Sequence, residues 1–254
     1  MLSKFATEYQ LIVILFFFIA LLYASVGFGG GSSYLAVLTL TSLAFTQIRA
    51  TALLCNIVVV SGNTIMYIKR KDCDFKKNLP LVLFSIPCAF VGGYLKISQT
   101  FFYILLGFIL LLASISMWFS SNTALTKNKK HFSVYKNAIY GGFIGFISGM
   151  AGVGGGIFLA PFLHLTNWDT PKKIAATASL FIWANSISGL IGQGMGWNFK
   201  LNLKLALVLL LAVFIGGQIG NRLGNKIFTL LYLKKATAVL IAFASLRILW
   251  KCVL

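Results

Sequence analysis

Two glycine clusters are the residues best placed to do chemistry in this sequence: Gly27-Phe28-Gly29-Gly30-Gly31 and Gly152-Val153-Gly154-Gly155-Gly156. Each interrupts an apolar run and is followed by a short apolar segment. Glycine permits positive φ and lets a ligand or a second backbone approach closely. A helix restarting after such a break, near Ser32 or near Ile157, offers unpaired N–H groups and the positive end of its dipole. Such an end binds an anion without a side-chain charge. Hydroxyls and amides nearby can complete the site: Ser32, Ser33, Thr51, Asn56, Ser61 and Asn63 after the first cluster, Thr177, Ser179, Asn185, Ser188 and Gln193 after the second. Asn56 and Asn185 rank above the rest, because a buried amide has several polar positions to satisfy. Cys55 adjoins Asn56 and would bring a thiol to the same cavity if it faced that way. The competing reading is packing: glycine in membrane helices often lets helices approach, and Ser and Thr often bond back to their own helix. Packing is preferred for Gly92, Gly93, Gly216 and Gly217. It is not preferred for the clusters, where four glycines in five residues work against any helix. A phosphate-cradling loop is a third, weak reading, since no Lys-Ser/Thr follows either cluster.

Composition sets the medium in which these clusters act. Of 254 residues, 59% are hydrophobic and 10% charged, against roughly 25% charged in a soluble domain. Disorder is excluded by the apolar content. The 22 Lys+Arg against 4 Asp+Glu would suit a nucleic-acid binder, but the basic residues have no polar scaffold, so no nucleic-acid partner is expected. A polytopic protein whose partner is the lipid bilayer remains. The carboxylates, Glu8, Asp72, Asp74 and Asp169, lie near the terminus or in polar loops. The membrane interior therefore holds no acidic side chain to carry a coupling proton, although coupled pumps usually place one there. A protonated anion, an ion bound by hydroxyls and carbonyls, or passive flow are the routes left. His131 and His164 lie near loops, and Cys55, Cys73, Cys88 and Cys252 form neither a C-x-x-C pair nor a zinc spacing. No metal, cofactor or nucleophile–base pair is expected, hence no enzyme.

Apolar runs predict all-α architecture. The first half offers about 9–26, a short segment about 32–46, and spans at about 50–68, 79–97 and 100–119. The second offers about 138–151, a short segment about 157–165, and spans at about 174–194, 204–221 and 236–250. Four blocks recur in order: the glycine clusters, Ala50-Thr51-Ala52 with Ala176-Thr177-Ala178, Ser61-Gly62 with Ser188-Gly189, and Phe90-Val91-Gly92-Gly93 with Phe214-Ile215-Gly216-Gly217. This is an internal repeat: residues 1–119 form a first membrane repeat, 120–137 a basic cytoplasmic linker, and 138–254 a second membrane repeat. Each repeat is a glycine-broken helical hairpin plus about three spanning helices. The positive-inside rule places the basic loops 69–78, 120–137 and 222–235, and with them Asp169–Lys173, in the cytoplasm. The halves then run in opposite senses, as an inverted repeat. Lys4, Arg49 and Lys251 fall on the wrong side of this count.

The paired clusters, each followed by a short segment and an Ala-Thr-rich helix, resemble the sulfite exporter TauE/SafE family. The matching elements are Val26–Gly31 with Ala50-Thr51-Ala52-Leu53, and Ala151–Gly156 with Ala176-Thr177-Ala178-Ser179-Leu180; Leu159-Ala160-Pro161-Phe162-Leu163 continues the second glycine motif. In the first repeat Leu35-Ala36-Val37-Leu38 lacks the proline. The resemblance covers nearly the whole chain. It implies transport of sulfur-containing anions, such as sulfite, thiosulfate or organosulfonates, across a plasma membrane, bacterial by expectation, with homo-oligomerisation left open. The expected mechanism is alternating access at a midplane site made by Gly29, Gly30, Gly31, Ser32, Thr51, Cys55, Asn56, Gly154, Gly155, Gly156, Thr177 and Asn185. An anion channel of the same architecture is the alternative.

Overall fold

The computed structural model describes residues 2–119, 134–166, 168–196 and 201–223, with 239, 242, 245, 246, 249 and 250. The core of the linker, the basic connector beyond Leu223 and most of the expected last span lie outside the described residues, as do the side chains of Lys4 and His164. Every element among the described residues is a helix: α1 (Leu2–Ser25), α2 (Gly31–Leu38), α3 (Phe45–Lys69), α4 (Phe75–Tyr94), α5 (Gln99–Phe119), α6 (Val134–Ala151), α7 (Gly156–Leu165), α8 (Pro171–Gly196) and α9 (Leu203–Leu223). The first short segment is briefer than the apolar run suggests. Helix α2 stops at Leu38, where Thr39 and Thr41 turn their hydroxyls onto Ala36 and Leu38 carbonyls.

Helices α3, α8 and α9 are each long and apolar enough to cross a bilayer, and Tyr9–Ser25 and Gln99–Leu112 are shorter apolar stretches. Large apolar side chains point outward, among them Leu203, Leu207 and Leu211 on α9 and Leu79, Leu83 and Phe84 on α4. Such a face is unsuited to water and suited to lipid.

Small residues set the helix pairing. Gly141, Gly145 and Gly149 form one stripe on α6, and a Cβ on any of them would fall on the backbone oxygen of Leu81, Ser85 or Ala89 of α4. Gly216 and Gly220 of α9 meet Phe17 and Leu21 of α1 in the same way. Gly92, Gly93, Gly216 and Gly217 are thus packing glycines. Both pairs run parallel, since residue numbers rise together along each. Helix α8 runs parallel to α4, with Gly192 on Phe90 and Gly196 on Tyr94. It runs antiparallel to α3, with Gln193 bonded to Thr46 and Trp183 to Ser61. The result is two bundles of opposite direction, α1–α3–α9 and α4–α6–α8, meeting along α3 and α8.

Candidate functional site

Helix α3 carries three fully buried polar side chains, Arg49, Asn56 and Asn63, seven residues apart. That spacing puts them on one face. Each holds a backbone oxygen near a helix break. Arg49 Nη2 donates to the Gly149 carbonyl at 3.0 Å, near the end of α6. Asn56 Nδ2 donates to Val153 at 2.9 Å, inside the second glycine cluster. Asn63 Nδ2 donates to Phe28 at 3.3 Å, inside the first. From the opposite bundle, Ser179 of α8 donates to the Gly27 carbonyl. The clusters are therefore pinned by the long helices beside them.

Asn56 is the meeting point of the two clusters. It is the twelfth residue of the 25-residue α3, half-way along the span. A Cβ on Gly29 would lie 2.5 Å from its Oδ1, and one on Gly154 would lie 2.6 Å from its Nδ2. A Cβ on Gly31 would also fall on the Asn56 amide. The glycines leave the room that this amide fills, from both halves of the chain at once. Their backbone has a second requirement: Gly30, which precedes α2, has φ +88°, and Gly154 has φ +80°, a region that L side chains enter at a cost of about 1–2 kcal/mol.

Around this point several buried polar atoms have no hydrogen-bond partner: Asn56 Oδ1, Tyr34 Oη, Ser148 Oγ and Ser186 Oγ; Asn185 Oδ1, one residue before Ser186 on α8, has none either. A Cβ on Gly154 would lie 2.7 Å from Ser186 Oγ, one on Gly155 3.1 Å from Ser148 Oγ, and one on Gly30 3.3 Å from Tyr34 Oη. Helices α2 and α7 begin at Gly31 and Gly156, so the N–H groups at their very start have no acceptor within the helix; Tyr34 and Phe158 are the first to bond back, to Gly30 and Gly155. Buried polar groups are normally satisfied, and here several unsatisfied ones lie beside the starts of α2 and α7.

The expected residues fall into two sets. Gly29, Gly30, Gly31, Asn56, Gly154, Gly155 and Gly156 come together, with Ser32 buried in the first turn of α2. Asn185 lies one turn beyond Phe181, which faces Gly155, and its Nδ2 donates to the Phe181 carbonyl at 2.9 Å. Thr51, Cys55 and Thr177 are buried on the same long helices. Cys55 belongs to the apolar core with Phe16, Ala52 and Val59. Thr177 bonds Asn78 Oδ1 at 3.0 Å and its own helix at Lys173. Tyr34, Arg49, Ser148 and Ser186, which are not among the expected residues, are also buried beside the clusters. Arg49 was legible as the first member of the seven-residue spacing it shares with Asn56 and Asn63. Among the described residues no three His, Cys, Asp or Glu side chains gather as a metal site.

Ion pairs join two loops at one end of the molecule. Lys77 Nζ sits 2.9 Å from Asp169 Oδ2, 2.6 Å from the Trp168 carbonyl and 3.9 Å from the centre of the Trp168 ring. Lys172 pairs with Asp72 at 3.0 Å. The loops of 69–78 and 169–173 thus share one face, the side on which the charge count places both. Nearby, burial pushes the Cys73 thiol above its ordinary range, against the opposing bond from Asn78. The Lys77–Asp169 pair is nearly buried. A double-mutant cycle with Lys77→Met and Asp169→Asn should return a coupling of about 1–3 kcal/mol, between the limits for exposed and buried pairs. Both variants should unfold at lower temperature, with flux per folded molecule retained.

The fold defines a multi-pass membrane protein with buried polar side chains gathered beside the starts of α2 and α7. The family model described as "Sulfite exporter TauE/SafE" matches residues 12–248, and the chain belongs to that family of membrane transporters. It is 34% identical over 198 residues to the "Probable membrane transporter protein y4hK" of Sinorhizobium fredii (strain NBRC 101917 / NGR234), covering 76% of this chain and 79% of that protein. It is 26% identical over 197 residues to the "Probable membrane transporter protein YunE" of Bacillus subtilis (strain 168), covering 66% and 71%. No solved structure matches.

Proposed function

We propose that this transporter carries a small sulfur-containing anion, sulfite or a related oxoanion or sulfonate, by alternating access at the Asn56 centre. The observation that carries the reading is the convergence of both glycine clusters on Asn56 at mid-span, with unpartnered hydroxyls and two helix N-termini around it. Helix N-termini and hydroxyls favour an anion at low desolvation cost. The family's name supplies the sulfur chemistry. Gly29 to Ser32, Asn56, Gly154 to Gly156 and Asn185 are proposed to contact the substrate, with Tyr34, Ser148 and Ser186 added.

The two-repeat organisation of 1–119 and 138–254 belongs to this reading. Exchanging α1–α4 with α6–α9 turns α1 on α9 into α6 on α4, α3 on α9 into α8 on α4, and α2 on α3 into α7 on α8; all six contacts occur. The opposite directions of α1 and α6 support an inverted repeat, the arrangement in which one bundle rocks against the other. The α3–α8 seam suits such a movement. Between α3 and α8 themselves it is crossed by two polar bonds, Trp183 to Ser61 at 3.0 Å and Gln193 to Thr46 at 2.7 Å; the bonds of Arg49, Asn56 and Ser179 to the opposite half are the others that such a movement must remake.

The test is uptake of radiolabelled sulfite into proteoliposomes holding the full chain. Saturable uptake that unlabelled thiosulfate or sulfite suppresses, and chloride does not, is expected. Conductance at channel rates, or no flux of any sulfur anion, would overturn the reading.

A further inference from the structure

We propose that the Asn56 centre selects an anion that brings its own hydrogen-bond donor, an O–H or N–H, beside the charged group. The inference rests on the anion reading above and deepens it. Its basis is the fixed orientation of two amides. A backbone carbonyl can only accept, so the bond from Asn56 Nδ2 to Val153 at 2.9 Å and that from Asn185 Nδ2 to Phe181 at 2.9 Å settle which end of each amide is nitrogen. The other end, Oδ1, is then an obligate acceptor. Both side chains are fully buried and both Oδ1 atoms lack a donor.

Asn56 Oδ1 lies against Gly29 at the entrance to α2, where the N–H groups of the first turn attract negative charge. Donors for an anion and an acceptor that repels one therefore stand side by side. A fully deprotonated oxoanion would set oxygen against Oδ1. An anion with a hydroxyl or a protonated oxygen satisfies both. The hydroxyls of Tyr34, Ser148 and Ser186 rotate to donate or accept and so impose no such choice; the amide oxygens do. The same logic fits an acid-poor chain, with 4 Asp+Glu against 22 Lys+Arg, because a protonated anion carries its proton with it.

The test compares isethionate with ethanesulfonate, anions of equal charge that differ by one hydroxyl. Binding to the purified full-length protein is measured by calorimetry, with sulfite as a third probe, in sodium and in choline buffers. Isethionate should bind at least about fivefold more tightly, the consequence of one satisfied buried acceptor. The ratio should fall toward one in Asn56→Leu. Asn185→Leu, which keeps the amide between the two clusters, provides the second variant if Asn56→Leu does not fold. Equal affinities, or a preference for ethanesulfonate, would overturn the inference and leave the anion reading standing. So would binding of sulfite with no preference between the sulfonates. A strict need for sodium would also overturn it, by assigning the amide oxygens to a metal cation. Binding of none of the three would overturn both readings together.

Discussion

Replacing Gly154 by alanine should lower sulfur-anion flux at least tenfold and lower the unfolding temperature, although it adds a single methyl group. Two costs coincide at this position. The backbone sits at φ +80°, which alone costs an L residue about 1–2 kcal/mol. The new Cβ would also lie 2.6 Å from Asn56 Nδ2 and 2.7 Å from Ser186 Oγ, so the amide must leave its bond to Val153. Displacing it strands a buried donor and a buried carbonyl, at about 1–3 kcal/mol for each group left unmet. The matched control is Gly194→Ala. It lies on α8 with nothing within 4 Å of its added Cβ, and alanine should be neutral or stabilise by up to about 1 kcal/mol. Flux through Gly154→Ala at the wild-type level, in protein of normal thermal stability, would show that the Asn56 centre does not lie on the transport path.

Why Gly154 rather than Gly194 was the informative glycine is only half written in the sequence. The glycine clusters, which lie between α1 and α2 and between α6 and α7, were themselves legible, because glycine density is a local property. So were the long helices, whose apolar runs match α3, α8 and α9 to within a few residues. What fills the space that a glycine leaves is a tertiary fact. Gly29, Gly31 and Gly154 accommodate one amide, and no pattern within either cluster names Asn56 as its occupant. The candidate list reached Asn56 from the chemistry of amides, without its role as a bridge. Thr51 and Thr177 are expected as hydroxyls near the clusters, and a threonine hydroxyl bonds back to its own helix as readily as to a ligand; that of Thr177 faces Asn78 and Lys173. Ser148 was invisible because it precedes the second cluster, where the expected site began only with the glycines. Arg49 was counted as a loop charge on the wrong side of the membrane. The count treats every cation near a span end as solvated, whereas α3 begins at Phe45 and places Arg49 inside the helix and inside the protein.

Arg49 yields the second large expectation. Replacing it by glutamine should weaken binding of a sulfur anion roughly tenfold to twentyfold while leaving folding stability unchanged or improved. A fully buried guanidinium in a membrane protein is costly and marks function by default. Arg49 lies seven residues before Asn56, about 10 Å along the helix axis. A unit charge at that distance is worth about 1.7 kcal/mol to an anion at an effective dielectric near 20. That is long-range attraction, and it needs no direct contact between Arg49 and substrate. The bond to Gly149 and the approach of the guanidinium to the Phe102 ring, 5.9 Å to its centre, hold the charge in place at the end of α6, where a cation also suits the helix dipole. A neutral amide can keep the Gly149 bond and avoids the cost of burying a charge, so stability need not fall. Arg49→Lys separates charge from shape: it keeps the cation and loses the planar fork, and it should retain most of the affinity. A glutamine variant that binds normally but unfolds several degrees lower would make Arg49 a pin for the end of α6 and nothing more. Calorimetric affinity for sulfite and thermal unfolding, measured on all three proteins, decide between the two.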